Sequence, residues 1–188
     1  MKLKTDSCEK IIAAASELFQ LKGYTATGLN EILRESGAPK GSLYYYFPSG
    51  KEELALAAVD LAATTMQARV SEGLKSDEDP MRAISRVIQD MIIALKNDGK
   101  LQTMSLSMLA LETCQTSDSL REACAKSFEK MADVYAQKLS ESGFSHEQAT
   151  ELGTVIQSMI EGAITLSLTA QDVKPLESVL HTFPLLLR

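Results

Sequence analysis

Between Gly23 and Pro48 the chain has room for only two short helices, and its punctuation marks where each must stop. The run Gly37-Ala38-Pro39-Lys40-Gly41-Ser42-Leu43-Tyr44-Tyr45-Tyr46-Phe47 is a glycine turn opening directly into a short helix. Pro39 suits the first turn, where its missing N–H costs nothing. Before it, Thr27 reads as an N-cap with Glu31 near the capping-box position, for a helix through about Glu35. Leu29, Ile32 and Leu33 supply that helix's apolar face. Two such helices joined by a glycine turn make a helix-turn-helix. Three consecutive tyrosines on a helix cannot all face one core. A short aromatic helix headed by Lys-Gly-Ser therefore reads as a surface built to lie on nucleic acid.

The rest of the chain is punctuated in the same way. A first helix runs from about Asp6 or Ser7 to Leu21, with Ile11, Ile12, Ala15, Leu18 and Phe19 at helical spacing and Gly23 placed to end it in a left-handed cap. Ser49 and Glu52 have capping-box spacing for a long helix to about Leu74. Asp77-Glu78-Asp79-Pro80 starts another, to about Lys96, and a further one spans roughly 101–114. Ser117-Asp118 caps a helix to Glu141, Ser145 with Gln148 one to about Ala170, and Pro175 begins a last one interrupted by Pro184. The expected fold is all-α, with about nine helices and no strand.

Composition narrows the functional classes. The net charge of −6 is unusual for a chain that meets phosphate, but it is unevenly distributed. Residues 1–51 hold seven Lys/Arg against five Asp/Glu, and the remainder twelve against twenty. An acidic body would steer phosphate to the N-terminal end. No apolar stretch reaches the roughly 18 residues of a membrane span, and no apolar signal-peptide core is present. Three cysteines, Cys8, Cys114 and Cys124, without CxxC spacing, fit a reducing cytoplasm. The two histidines, His146 and His181, have no metal-like partners, and no nucleophile–base set, carboxylate pair or phosphate loop supports an enzyme. Neither a cofactor nor a metal is expected. A purely structural helical adaptor would have no use for Lys-Gly-Ser-Leu-Tyr-Tyr-Tyr at the head of a helix.

The segment from about Ile11 to Leu54 resembles the TetR family of bacterial transcription regulators. The pieces that carry the resemblance are Gly23-Tyr24-x-Ala26-Thr27, Ser36-Gly37-x-x-Lys40-Gly41-x-Leu43-Tyr44-x-x-Phe47 and Lys51-Glu52-Glu53-Leu54. Within the family, the Pro39–Leu54 form is similar to the branch related to the lincomycin-resistance regulators, which repress drug-efflux genes. Two departures stand out: Gly28 weakens the short helix, and Tyr46 stands where many relatives have histidine. The resemblance implies a DNA-binding head over residues 1–64, with its motif at about 27–47, and a ligand-binding and dimerisation body over 65–188. It implies a ligand-responsive repressor of double-stranded, near-palindromic operator DNA.

Carried over by position, the resemblance assigns DNA contacts to Thr27, Lys40, Gly41, Ser42, Tyr44, Tyr45 and Lys51. Thr27 would present a helix N-terminus to phosphate, Gly41 would admit close backbone approach, and Lys40 would reach a base edge or phosphate. Lys51 would grip phosphate. Lys22 and Asn30 are weaker candidates. Leu43 and Phe47, four residues apart, are expected to lock the helix inward, while Tyr46 is open between the two roles. In the body, the resemblance implies a small-molecule effector, for which Met66, Met91, Met104, Met108, Phe128 and Met159 are the candidate pocket, although for any one methionine ordinary core is the better reading. It also implies a homodimer through the last two long helices, where Gly153, Gly162, Ala163 and Ser167 offer close approach and Ile156, Met159, Ile160 and Leu166 offer apolar area.

Overall fold

A computed structural model describes residues 2–98 and 106–185. Its elements are α1 (Lys2–Lys22), α2 (Leu29–Ser36), α3 (Lys40–Tyr46), α4 (Lys51–Leu74), α5 (Pro80–Asp98), α6 (Leu106–Thr113), α7 (Asp118–Glu141), α8 (His146–Ala170), α9 (Lys174–Thr182) and a 3₁₀ turn at Phe183–Leu185. No strand occurs among the described residues. The expected helix around 101–114 is seen from Leu106; residues 101–105, with Met104, and 186–188 lie outside the described residues.

The described residues form two compact units. The first comprises those up to Thr65 together with those from Leu106 to Ser127, which is broader than a head ending at residue 64. α1 begins earlier than its acidic start suggests, and Ile11, Ala14, Ala15, Leu18 and Phe19 bury one continuous stripe. It ends at Gly23, whose φ of +82° takes the left-handed cap, with its N–H donating to the Phe19 carbonyl at 2.9 Å. α2 and α3 both pack on α1. Gly37, at φ +62°, makes the turn between them. Ile32, Leu43 and Phe47 are buried. α4 opens with the Ser49 N–H held by Glu53, one residue beyond the expected Glu52, because Gly50 intervenes with a left-handed φ of +81°.

The second unit holds the described residues from Met66 to Asp98 and from Phe128 to Leu185. Its core draws Val70 and Leu74 from α4, Ile84, Ile88 and Leu95 from α5, Met131, Tyr135 and Leu139 from α7, and Ile156, Ile160 and Ile164 from α8, closed by Leu176 and Phe183. The helix starts are the expected ones. The Asp79 carboxylate accepts the Met81 N–H, Ser117 Oγ accepts the Leu120 N–H, and Ser145 with Gln148 forms a complete capping box. Burial lifts the Tyr135 phenol well above its ordinary range, with Glu161 acting in the same direction.

α8 divides the residues expected to pair two copies between two faces. Gly153, Ala163 and Ser167 are buried within this chain, as are Ile156 and Ile160. Gly153 is where α8 meets α7: a Cβ there would overlap the Ala132 carbonyl oxygen and crowd Ala136. An exposed stripe runs through Val155, Ser158, Gly162 and Leu166, with Leu166 61% exposed. Both sets repeat at three to four residues, so periodicity alone could not say which stripe the chain would cover for itself. Gly153→Ala should therefore lower stability by about 1–3 kcal/mol in denaturant unfolding, as overpacking does. Gly162→Ala, with open space around it, should leave the fold unchanged or raise its stability by roughly 0.5–1 kcal/mol.

Candidate nucleic-acid interface

α3 sorts its side chains by helical spacing. Leu43, and four residues on the helix-capping Phe47, turn inward at 0% and 5% exposure. The pairs Lys40–Tyr44 and Gly41–Tyr45, at the same spacing, lie on the exposed side; Tyr44 is 48% and Tyr45 67% exposed. Nothing lies within 4 Å of the position a Gly41 Cβ would take, so no neighbour within the chain demands glycine there. Ser42 is half-buried, its N–H donating to the Pro39 carbonyl at 2.9 Å. Tyr46 takes an intermediate place: it meets the Tyr45 ring edge-on at 5.0 Å and the Phe47 ring at 6.5 Å. The aromatic run is thus a buried anchor carrying an outward face of one cation, one bare backbone and two phenols.

This head matches the family model described as bacterial regulatory proteins, tetR family, over residues 11–58. Residues 80–182 match that of the transcriptional regulator LmrA/YxaF-like C-terminal domain. The chain belongs to the TetR family. It is 45% identical to the uncharacterized HTH-type transcriptional regulator YxaF of Bacillus subtilis, over all of this chain and 98% of that protein. It is 42% identical to the HTH-type transcriptional regulator LmrA of the same organism, covering 97% of each. Among solved structures it resembles reduced NemR of E. coli, with a TM-score of 0.84 at 25% identity and 94% coverage of both chains. The TetR-family chain is therefore a helix-turn-helix transcriptional regulator and not an enzyme, and no described helix is long and apolar enough to cross a membrane.

Two of the seven expected contacts, Thr27 and Lys51, already have partners within the chain. Thr27 is not the cap of α2: Gly28 holds that position in extended conformation without a side-chain hydrogen bond. Thr27 is 1% exposed, and its hydroxyl donates to the Gly23 carbonyl at 2.8 Å with the Leu18 carbonyl 3.2 Å away. It ties the end of α1 to the start of α2, since a hydroxyl turned toward phosphate would leave the Gly23 carbonyl without this donor. Lys51 is half-buried. Its Nζ donates to the Thr25 carbonyl at 3.4 Å and lies 4.3 Å from the centre of the Tyr24 ring. Desolvation lowers its pKa, partly opposed by the Glu112 carboxylate. Lys22, the weaker candidate, is paired with Glu31, which also meets Arg34.

The described candidates for the pocket are divided between the two units. Met66 and Met91 pack against the core of the second unit, and Phe128 and Met159 are half-buried there, whereas Met108 belongs to the first unit. A cleft of about 540 Å³ in the second unit is lined instead by Leu95, Lys96, Ser167, Leu168, Gln171, Asp172 and Val173. The described cysteines are all free. Cys124 is buried and its thiol pushed up to about 11, so it carries negligible thiolate at neutral pH. Alkylation at pH 8 should modify exposed Cys114 in the native protein and Cys124 only after denaturation, as read by mass spectrometry. Thr27→Val should cost about 1–3 kcal/mol of stability, the penalty of leaving the Gly23 carbonyl without this donor. It should not alter the salt slope of DNA binding.

Proposed function

We propose that this regulator is a homodimeric, cytoplasmic repressor that reads a near-palindromic operator through paired copies of α3 and is released by a small, mostly apolar molecule held in its body. The observation that carries the DNA-binding part is the outward face of α3, where Lys40, Gly41, Ser42, Tyr44 and Tyr45 stand on the buried Leu43–Phe47 anchor. A lysine at that place reaches a guanine edge or a phosphate, and phenol hydroxyls bond phosphate while the rings meet sugars and thymine methyls. A two-fold dimer would present two such faces about 34–36 Å apart, or at a longer matching spacing.

The exposed stripe of α8, with Val155, Gly162 and Leu166, supports pairing of two copies through the last helices. Met66 and Met91 against the body's core support an adaptable apolar site, since thioethers repack readily around varied ligands. α4 runs from Lys51 in the first unit to Leu74 in the second, so it belongs to both. An effector can release the operator only if it binds the non-reading arrangement more tightly than the reading one.

Lys40→Ala should weaken binding to a duplex selected from a random-sequence pool by about tenfold and shallow the plot of log K against log salt by about 0.9. Tyr44→Ala should weaken it comparably with the dimer intact by sedimentation. Unchanged, salt-sensitive binding by both variants would overturn the reading.

A further inference from the structure

One carboxylate reaches the head from far along the chain. Glu112, near the end of α6, accepts the Thr25 N–H through Oε2 at 3.1 Å, bridging 87 residues of sequence. Its other oxygen rests on Gly23: a Cβ there would overlap Oε1. Thr25, which Glu112 holds by its N–H, also receives Lys51, whose ammonium donates to the Thr25 carbonyl. Beside this contact, Ser117 Oγ, at the start of α7, donates to Glu52 Oε1 at 2.6 Å in the first turn of α4. All of these residues belong to the first compact unit.

We propose that Glu112 is the positioning residue through which α6 sets the DNA-reading head. Its carboxylate, seated on Gly23 and bonded to Thr25, holds the turn that joins α1 to α2 and receives Lys51 at the start of α4. This rests on the DNA-binding reading above and names one residue that regulates it. The turn has no other side chain of its own placed for the task. Thr27 fixes its far side internally, and Gly28 caps α2 without a side chain, so the Thr25 amide takes its acceptor from α6. Gly23 is then doubly constrained, by its left-handed φ of +82° and by the carboxylate lying against its Cα. A displacement of α6 would change the acceptor at Thr25, and with it the carbonyl that Lys51 meets.

The test compares Glu112→Gln with Glu112→Ala on the full chain. The probe is a duplex selected from a random pool by the wild-type protein, and thermal midpoints and amide exchange at Thr25 are measured alongside. Glutamine retains an oxygen acceptor of nearly the same shape, so it should bind within about twofold of wild type and keep Thr25 protected. Alanine should bind about tenfold more weakly, the effect of one lost charge-assisted hydrogen bond, with Thr25 exchanging faster and the thermal midpoint matching that of the glutamine variant. Equal binding by alanine and wild type overturns the role of Glu112 alone. So does a loss shared by glutamine and alanine in step with their thermal midpoints, which would mark a general structural effect. A wild-type chain that selects no duplex overturns the DNA-binding reading and this role with it.

Discussion

The apolar grip of α3 on α1 is the constraint from which the rest of the reading head follows. Seven helical residues cannot hold themselves together in water, because so short a helix barely repays its own nucleation. α3 exists because Leu43 and Phe47 are buried in the unit whose stripe is Ile11, Ala15, Leu18 and Phe19. Once those two positions are committed inward, the 3.6-residue repeat leaves Lys40, Gly41, Tyr44 and Tyr45 no other direction than outward. The outward face is thus a geometric consequence of the anchor. Any loosening of Leu43 or Phe47 would blur the reading face without touching it.

Much of this was legible in the residues themselves. Prolines, glycines and capping pairs act within three or four residues, so local chemistry fixes them, and α7 and α8 begin and end where Ser117, Gly143 and Ser145 place them. The split of the aromatic run was likewise a matter of spacing. Thr27 was misread as a cap for a physical reason: a threonine just before a helix has the same local signature whether its hydroxyl caps forward or bonds backward. The Gly23 carbonyl, just past the end of α1, decided the direction. Gly153 was misread because a glycine in a helix reports close approach without saying whose helix approaches. Glu112 carried no signal, since its partners at Gly23 and Thr25 are distant in sequence and the bond is made to backbone, which every residue offers.

The distribution of charge around the head adds a further constraint on how it can read DNA. Lys22 and Arg34 both meet Glu31, and Lys51 is drawn to the Thr25 carbonyl and the Tyr24 ring with Glu112 nearby. Cations already engaged within the protein give up those partners when they approach phosphate, so each gains less from the duplex than a fully hydrated lysine would. With a whole-chain charge of −6, long-range attraction to DNA is weak as well. Non-specific binding depends almost wholly on phosphate neutralisation and counterion release. On the proposed reading, a head that damps this term would obtain its affinity from fit: backbone approach at Gly41, hydroxyl and ring contacts from Tyr44 and Tyr45, and the spacing of two heads. Those terms are short-ranged, and the spacing term is lost when the two heads move out of step. The restraint on charge that weakens this protein on arbitrary DNA is therefore the same property that would let a small change in geometry release it from its operator.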